Sequence, residues 1–165
     1  MRLSTRGRYA VMAMVELATR QAAHNAQLRR GGHCPVSLAE IAQAQQLSLA
    51  YLEQLFGHLR RAGLVCSARG PGGGYRLARA PAAIAVAEIV EAVDEKLKAT
   101  RCEEGMAGCL AGQKCLTHDL WQELGEQIRL FLAHVTLADV CCGGIAGRAA
   151  PPLPPRLPEP VSPAE

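Results

Sequence analysis

Several common features are missing from this chain of 165 residues, and each absence excludes a class of protein. No apolar run approaches the roughly 18 residues that a membrane span needs. The basic N-terminal segment is interrupted by Glu16 and Arg20 and has no signal-peptidase site. No Cys-x-x-Cys pair occurs, which argues against a thiol oxidoreductase. We therefore expect a cytoplasmic protein with no membrane partner, in which thiols stay reduced.

Aromatic residues make up only 4% of the chain, although 49% of its residues are apolar. Alanine and leucine supply most of the apolar residues, and both favour helices over strands. The length suits one compact domain with an appended element and a tail. The composition therefore predicts a mainly α fold.

Lysine is absent from residues 1–80, where eleven arginines accompany three acidic residues. Residues 81–165 carry seven basic and twelve acidic residues, so the net charge of +3 hides a basic first half and an acidic second half. Arginine makes paired hydrogen bonds to phosphate oxygens and base edges. The first half is therefore a candidate for binding nucleic acid, and a solvated surface without a specific partner is the alternative.

Hydrophobic spacing and capping residues in the first half predict three helices. Ser37 and Glu40 have the spacing of a capping box, and Ser48 is a good N-cap for the helix that follows a short break. Two helices joined by a short turn, here at about 38–61, are typical of a helix-turn-helix motif. The predicted elements are a helix from Ser4 or Thr5 to about Ala23, a loop over 24–36, and helices over 38–45 and 49–62.

The segment that follows predicts a β-hairpin at about 64–78. Short apolar stretches flank the sequence Arg-Gly-Pro-Gly-Gly-Gly at 69–74, which is typical of a turn. Helix, helix and hairpin in this order predict a winged helix over residues 1–81, with Arg69 at the wing tip. Such a tip can enter a minor groove because no bulky side chain is nearby. The alternative is a hairpin that needs glycine only for its backbone angles.

A recognition helix reads base edges with side chains near its N-terminus. In the third helix these are Ala50, Tyr51, Glu53 and Gln54. Glutamine pairs with adenine and glutamate accepts from cytosine, whereas Arg60 at the far end can meet phosphate. These residues and the arginine content favour double-stranded DNA as the partner. A protein-interaction module whose basic face has no role is the alternative.

Residues 82–142 are predicted to hold a short helix over 86–94 and a long helix over 118–135, which Thr117 can cap. A cysteine-rich loop over 102–118 separates them, and alanine- and proline-rich residues 143–165 predict a disordered tail. An apolar stripe on the long helix predicts a homodimer interface, with burial inside one chain as the alternative. Its members are Leu120, Leu124, Ile128, Phe131 and Val135.

Four residues with metal-binding side chains, Cys102, Cys109, Cys115 and His118, lie within seventeen positions. A set of three cysteines and one histidine suits zinc, or an iron–sulfur cluster in which histidine replaces cysteine. The close cysteine pair of structural zinc sites is absent, which modestly favours the cluster. Spacing leaves both open, together with unligated thiols.

With these motifs in place, the chain resembles the winged-helix transcription factors that include the bacterial iron–sulfur cluster regulators. The resemblance covers about residues 1–140, and the glycine-rich wing and the cysteine–histidine spacing are its most specific parts. The matching segments are MRLSTRGRYAV at 1–11, SLAYLEQLF at 48–56, GLVCSARGPGGGY at 63–75, AVAEIVEAVDE at 85–95, ATRC at 99–102 and KCLTHDLW at 114–121.

The resemblance implies a non-enzymatic homodimer that controls genes for iron–sulfur cluster assembly, mainly by repression. It implies one [2Fe–2S] cluster per subunit on Cys102, Cys109, Cys115 and His118, received from a cluster-assembly scaffold. It also implies that Glu53 and Gln54 read the major groove and Arg69 the minor groove. The candidate DNA-binding residues are Arg6, Tyr9, Ala50, Tyr51, Glu53, Gln54, Arg60, Arg69 and Gly72.

The chain departs from the family pattern at several positions. Ala50 stands where the most similar members have serine, the loop over 24–36 is longer, and six residues instead of five separate the first two cysteines. Cys141 and Cys142 have no counterpart, and we interpret them as a helix end. Two rival functions remain, a nitric-oxide-sensing repressor of the same family and a zinc-dependent repressor. His118 argues against the first.

Overall fold

Six helices and one β-hairpin make up the parts of the chain, residues 5–27, 35–70, 72–93 and 115–145, that a computed structural model describes. This architecture confirms the prediction of a mainly α fold with a small hairpin. The elements are α1 (Thr5–Gln27), α2 (Leu38–Gln45), α3 (Leu49–Arg61), β1 (Val65–Ala68), β2 (Gly74–Leu77), a short 3₁₀ helix (Pro81–Ala83), α4 (Val86–Val93), α5 (His118–His134) and α6 (Leu137–Cys141).

Helices α2 and α3 form the predicted helix-turn-helix, and local side-chain caps set its boundaries. The Ser37 hydroxyl accepts a hydrogen bond from the Glu40 amide, and the Glu40 carboxylate accepts one from the Ser37 amide. The Ser37 hydroxyl also donates to the Glu40 carboxylate at 2.7 Å, and the hydrogen bonds to this carboxylate from the Ser37 hydroxyl and amide, helped by the nearby Arg20 charge, lower the pKa of Glu40. Gln46 ends α2 in the left-handed region at φ 51°, and Ser48 caps α3 by accepting from the Tyr51 amide.

Strands β1 and β2 form an antiparallel wing, with Val65 opposite Leu77 and Ala68 opposite Gly74. The outer edge of β2 contacts the residue just before the α2 cap. Val36 and Tyr75 exchange two backbone hydrogen bonds of 2.8 Å each. The wing is therefore joined to the helix-turn-helix on the side away from β1.

One hydrophobic core joins α1, α3 and α4, and it includes residues on both sides of the predicted boundary at 81. The side chain of each member is almost completely buried. The larger members are Met14, Leu17, Ile41, Leu52, Leu55, Phe56, Leu59, Ile84, Ile89 and Leu137.

The end of α5 is attached to this core through a turn that the sequence analysis did not predict. The long helix ends at His134, Val135 is extended, and α6 begins after a Thr136–Asp139 capping box. The Val86 amide donates to the Val135 carbonyl, and the Leu137 amide donates to the Ile84 carbonyl, each at 2.8 Å. The prediction of one helix ending near 135 therefore missed α6.

Three further details of the prediction were wrong. Helix α1 continues to Gln27 instead of ending near Ala23, because neither glycine nor proline occurs between Ala23 and Gly31. Thr117 precedes α5 but makes no side-chain capping bond. Residues 143–145 form a turn that closes α6, so a disordered tail begins no earlier than residue 146, outside the described residues.

The apolar stripe of α5 is largely uncovered in the described part of the chain. Leu120, Leu124 and Phe131 are 61%, 38% and 41% exposed, whereas Val135 is buried against Val86 and Val90. The described residues leave the first three partly uncovered, and burial inside one chain stays the alternative to a dimer interface. None of the described helices has the length and apolar character needed to cross a membrane.

Candidate nucleic-acid interface

Helix α3 presents the predicted base-reading residues to solvent. Ala50, Glu53 and Gln54 are exposed, while Leu52 and Leu55 on the opposite side are buried in the core. The helical period produces this division, since positions three and four apart share a face. The exposed face therefore carries one carboxylate and one amide beside the short Ala50 side chain.

Tyr51, at the N-terminal end of α3, contacts the first helix. Its ring lies 6.0 Å from the Tyr9 ring, edge to face at 87°. Arg6 lies one turn before Tyr9 on α1 and is exposed, and its guanidinium donates a 3.4 Å hydrogen bond to the Val93 carbonyl at the end of α4. The structure thus brings Tyr9 and Tyr51 together, and Arg6 lies on the same side of α1, one turn earlier.

The arginines at the far end of α3 differ in their surroundings. Arg60 is exposed, whereas Arg61 folds back to donate to the Gly57 carbonyl and lies 3.1 Å from a ring nitrogen of His58. Arg79, after the wing, pairs with Glu88 at 2.9 Å and lowers the pKa of that carboxyl. Arg60 is accordingly the better phosphate candidate of the three.

The wing tip places Arg69 in solvent directly after β1. Gly70 and Gly72 adopt φ angles of +108° and +75°, and a Cβ on Gly73 would lie 2.5 Å from the Ala68 carbonyl oxygen. The turn therefore requires glycine for its backbone, and Arg69 lies exposed at its start. The geometry is compatible with a wing tip that enters a minor groove, and equally with a hairpin that needs glycine only for its backbone angles.

Two of the four candidate metal ligands lie at the start of α5. Cys115 and His118 are both half-buried, and the His118 amide donates to the Cys115 carbonyl at 3.0 Å. The Cys115 thiol lies 3.5 Å from the Thr117 hydroxyl, and the His118 ring contacts the Gln122 side chain at 3.1 Å. Cys102 and Cys109 lie outside the described residues, and the described residues alone contain no cluster of three or more metal-binding side chains.

Three residues that hold the wing were not predicted from the sequence, and they are Gln21, Val36 and Gly74. The Gln21 side chain accepts a 3.0 Å hydrogen bond from the Leu77 amide, although 56 positions separate the two residues. No local pattern marks such a partner. Gly74 directly precedes Tyr75 in the conspicuous glycine run, but its close approach to Val36 is visible only in the folded chain.

Comparison with known proteins settles the family. Residues 3–143 match the family described as "Rrf2: Iron-dependent Transcriptional regulator". The chain belongs to the Rrf2 family. It is 50% identical over 140 residues to the HTH-type transcriptional regulator IscR of Yersinia enterocolitica, which covers 85% of this chain and 79% of that protein.

Solved structures of Rrf2-like regulators have the same fold. IscR of T. potens superposes with a TM-score of 0.66 at 34% identity, covering 92% of this chain and 94% of that one. CymR, the global cysteine regulator of B. subtilis, superposes with a TM-score of 0.68 at 33% identity, covering 87% and 98%. Membership of the Rrf2 family confirms the predicted winged-helix, DNA-binding transcriptional regulator and the prediction that the chain is not an enzyme.

Proposed function

We propose that this Rrf2 protein is a cytoplasmic homodimer that regulates genes for iron–sulfur cluster assembly, mainly as a repressor. It senses cluster status through its own [2Fe–2S] cluster, received from an assembly scaffold. Residues 1–81 bind DNA, residues 82–145 carry the cluster loop and the dimerisation helix, and the residues after 145 have no part in either. The observation that carries the DNA half is the exposure of Glu53 and Gln54 on a helix whose other face is buried.

Helix α3 supplies base recognition in this proposal. The Gln54 amide can pair with N6 and N7 of adenine, and the Glu53 carboxylate can accept from N4 of cytosine. Ala50 is too short to make a polar contact and leaves room for a thymine methyl group. Tyr51, whose ring packs on that of Tyr9, lies at this end of the helix beside Arg6 of α1, and both contact the DNA backbone. Arg60 contacts a phosphate at the other end of the helix.

The wing adds a second contact. Arg69 enters the minor groove, whose negative potential attracts a guanidinium, and Gly72 lets the backbone approach closely. Its exposed position after β1 supports this role. Groove contacts of this kind depend on shape as well as on sequence.

The described half of the ligand set fits an iron–sulfur group. A thiol and an imidazole, both half-buried, lie one helical turn apart at the beginning of α5. We propose that Cys102 and Cys109 complete the set with Cys115 and His118. When bound, such a group supplies iron that thiolates and an imidazole ligate. Gln122 orients the His118 ring by its contact at 3.1 Å, as outer partners of metal ligands do.

Helix α5 connects this end of the molecule to the DNA-binding part. It begins at His118, and its last turn packs on Val86 and Val90 of α4 through Leu132 and Val135. Two backbone hydrogen bonds hold the turn that follows it to Ile84 and Val86. Since α4 also packs on α3, a shift of α5 changes the surroundings of the recognition helix. A coupling of about 1–3 kcal/mol would change affinity about 5- to 150-fold.

The exposed stripe of α5 supports the homodimer. Leu120, Leu124 and Phe131 are large apolar side chains on one side of a single helix, and a second copy of the same helix can cover them symmetrically. A two-fold axis through this helix would also set the distance between the two recognition helices.

DNA recognition is tested with a duplex that the full-length chain selects from a random-sequence pool. Gln54→Ala should weaken binding by about 1–3 kcal/mol and relax the preference for one base pair, since the lost contact is a base contact. Gln127→Ala is the matched control, because Gln127 is an exposed glutamine on α5 whose side chain donates a hydrogen bond to Glu123. If no sequence is selected, or if both variants bind alike, the role of α3 is refuted.

The cofactor is tested by anaerobic purification with iron and sulfide analysis and a visible spectrum. We expect stoichiometric iron and sulfide, and a visible absorption that Cys115→Ala abolishes. Cys66→Ala, which alters a half-buried thiol on β1, should leave the absorption intact. His118→Ala decides whether the histidine is the fourth ligand. A colourless protein with stoichiometric zinc would establish the zinc-dependent repressor instead.

The sensing role is tested by comparing the loaded protein with Cys102→Ala on several promoter sites. The proposal requires the affinity to change at some sites and not at others. Equal affinities at every site would contradict it, even if both proteins bind DNA tightly.

A further inference from the structure

The outer edge of the wing strand β2 is closed by two unrelated partners. In an antiparallel hairpin every second amide of a strand points away from its neighbour. On β2 these are the amides of Tyr75 and Leu77, which alternate along the strand with those of Gly74 and Arg76. The Tyr75 amide donates to the Val36 carbonyl at 2.8 Å, and the Leu77 amide donates to the Gln21 side-chain oxygen at 3.0 Å.

Gln21 on α1 and Val36 therefore accept hydrogen bonds from the same outer edge of β2. Gln21 is only 9% exposed, and it is the one polar residue among the buried side chains of the described ranges. Burial of an amide side chain destabilises the fold unless the amide is hydrogen-bonded. The burial of Gln21 therefore depends on its hydrogen bond with β2. On its inner side, Tyr75 of the same strand packs edge to face on Phe56 of α3, with the ring centroids 4.9 Å apart.

Three elements therefore hold β2: α1 through Gln21, the α2 cap through Val36, and α3 through Phe56. The free end of the hairpin carries Arg69. Because the two strands are short, loss of the hydrogen bond between the Leu77 amide and Gln21 would let the hairpin rotate about Tyr75. The wing tip would then occupy a range of positions relative to the recognition helix.

We propose that Gln21 is a positioning residue for DNA binding, which fixes the wing so that Arg69 and α3 meet the DNA together. It touches no DNA itself and acts through the Leu77 amide. This inference rests on the proposed contact of Arg69 with DNA. It also predicts that Gln21 matters only while that contact exists.

A double-mutant cycle tests this dependence, with affinities for the selected duplex measured at one salt concentration. Gln21→Met keeps the length and helical preference of the side chain and removes the acceptor. We expect about fivefold weaker binding, equivalent to one hydrogen bond of about 1 kcal/mol. In an Arg69→Ala background the same substitution should have almost no effect. Gln21→Glu, which keeps an acceptor, should restore most of the affinity.

Gln45→Met is the matched control. Gln45 donates a 3.0 Å hydrogen bond to Glu16 and so joins α2 to α1 without contacting the wing. Its effect should be the same with and without Arg69. If the effects of Gln21→Met and Arg69→Ala simply add, Gln21 acts through general stability and the inference is overturned. If Arg69→Ala alone leaves affinity unchanged, the proposed wing contact itself has failed.

Hydrogen exchange of the unaltered protein provides a test that needs no variant to fold. The Leu77 amide should exchange much more slowly than the Gly72 amide at the wing tip, because Gln21 protects it. In Gln21→Met the Leu77 amide should accelerate while core amides of α3 keep their rates. Fast exchange of Leu77 in the unaltered chain would overturn the inference.

Discussion

A single methyl group added at Gly74 should detach the wing from the helix-turn-helix. A Cβ there would lie 2.6 Å from the Val36 carbonyl carbon and 3.0 Å from the Ser37 nitrogen, and closer still to the Val36 oxygen. All three atoms belong to the backbone, so no side chain can turn away to make room. Either β2 or the segment before α2 must move.

The cost follows from the contacts that such a movement breaks. The two backbone hydrogen bonds between Val36 and Tyr75 are worth about 1 kcal/mol each. Displacement of Tyr75 from Phe56 would add a fraction of the roughly 0.5–1.5 kcal/mol of an aromatic pair. We therefore expect Gly74→Ala to lower the free energy of unfolding by about 2–3 kcal/mol.

Urea unfolding at a fixed protein concentration measures this change, since the stability of a dimer depends on concentration. With a slope of about 2 kcal/mol per molar, the midpoint should fall by about 1 M or slightly more. Gly57→Ala is the matched control: the same methyl group is added within α3, where nothing lies within 4 Å. Since alanine favours a helix over glycine, that variant should gain about 0.5–1 kcal/mol. An unchanged midpoint for Gly74→Ala would refute the reasoning.

Three further predictions concern other parts of the chain. Leu124→Glu should turn the dimer into a monomer in sedimentation at micromolar concentration, whereas Gln127→Glu on α5 should not; a dimeric Leu124→Glu protein would contradict the proposed interface. Thr136→Ala, which removes the α6 capping box, should cost about 1 kcal/mol and lower the melting temperature by about 2–4 °C; an unchanged melting temperature would mean that the box is dispensable. Because the hydrogen bonds from Ser37 lower the pKa of Glu40, its charged form stabilises the fold above its unfolded pKa. The stability advantage over Glu40→Gln should therefore shrink as the pH falls through that lowered pKa, and urea midpoints that diverge further in acid would contradict it.

Much of the fold could be predicted because its signals are local. The Ser37–Glu40 capping box joins residues three positions apart, and the buried side of α3 follows from helical spacing. The same kind of local signal was enough to predict the order of elements in the winged helix and the exposed positions of Ala50, Glu53 and Gln54. The exposure of these three residues was thus predicted, and their contacts with DNA stay predictions.

Errors arose where the chain depends on distant partners or on a weak local stop signal. Residues 24–27 were predicted as loop because of the glycines that follow, yet the helix continues to Gln27. The stop of α5 at His134 is set by Val135, which extends to pair with Val86, 49 positions earlier in the chain. A second capping box, Thr136–Asp139, was present in the sequence and was overlooked.

The sequence by itself determined α2, α3, the wing and the position of two candidate ligands, Cys115 and His118, at the start of α5, because caps, periodicity and glycine angles act within a few residues. The tertiary structure alone decided how the wing is held. Gln21 meets Leu77, Val36 meets Tyr75, and neither pair shares a periodic or local pattern. A strand edge accepts any donor or acceptor that the fold brings to it, so only the packed chain selects its partner.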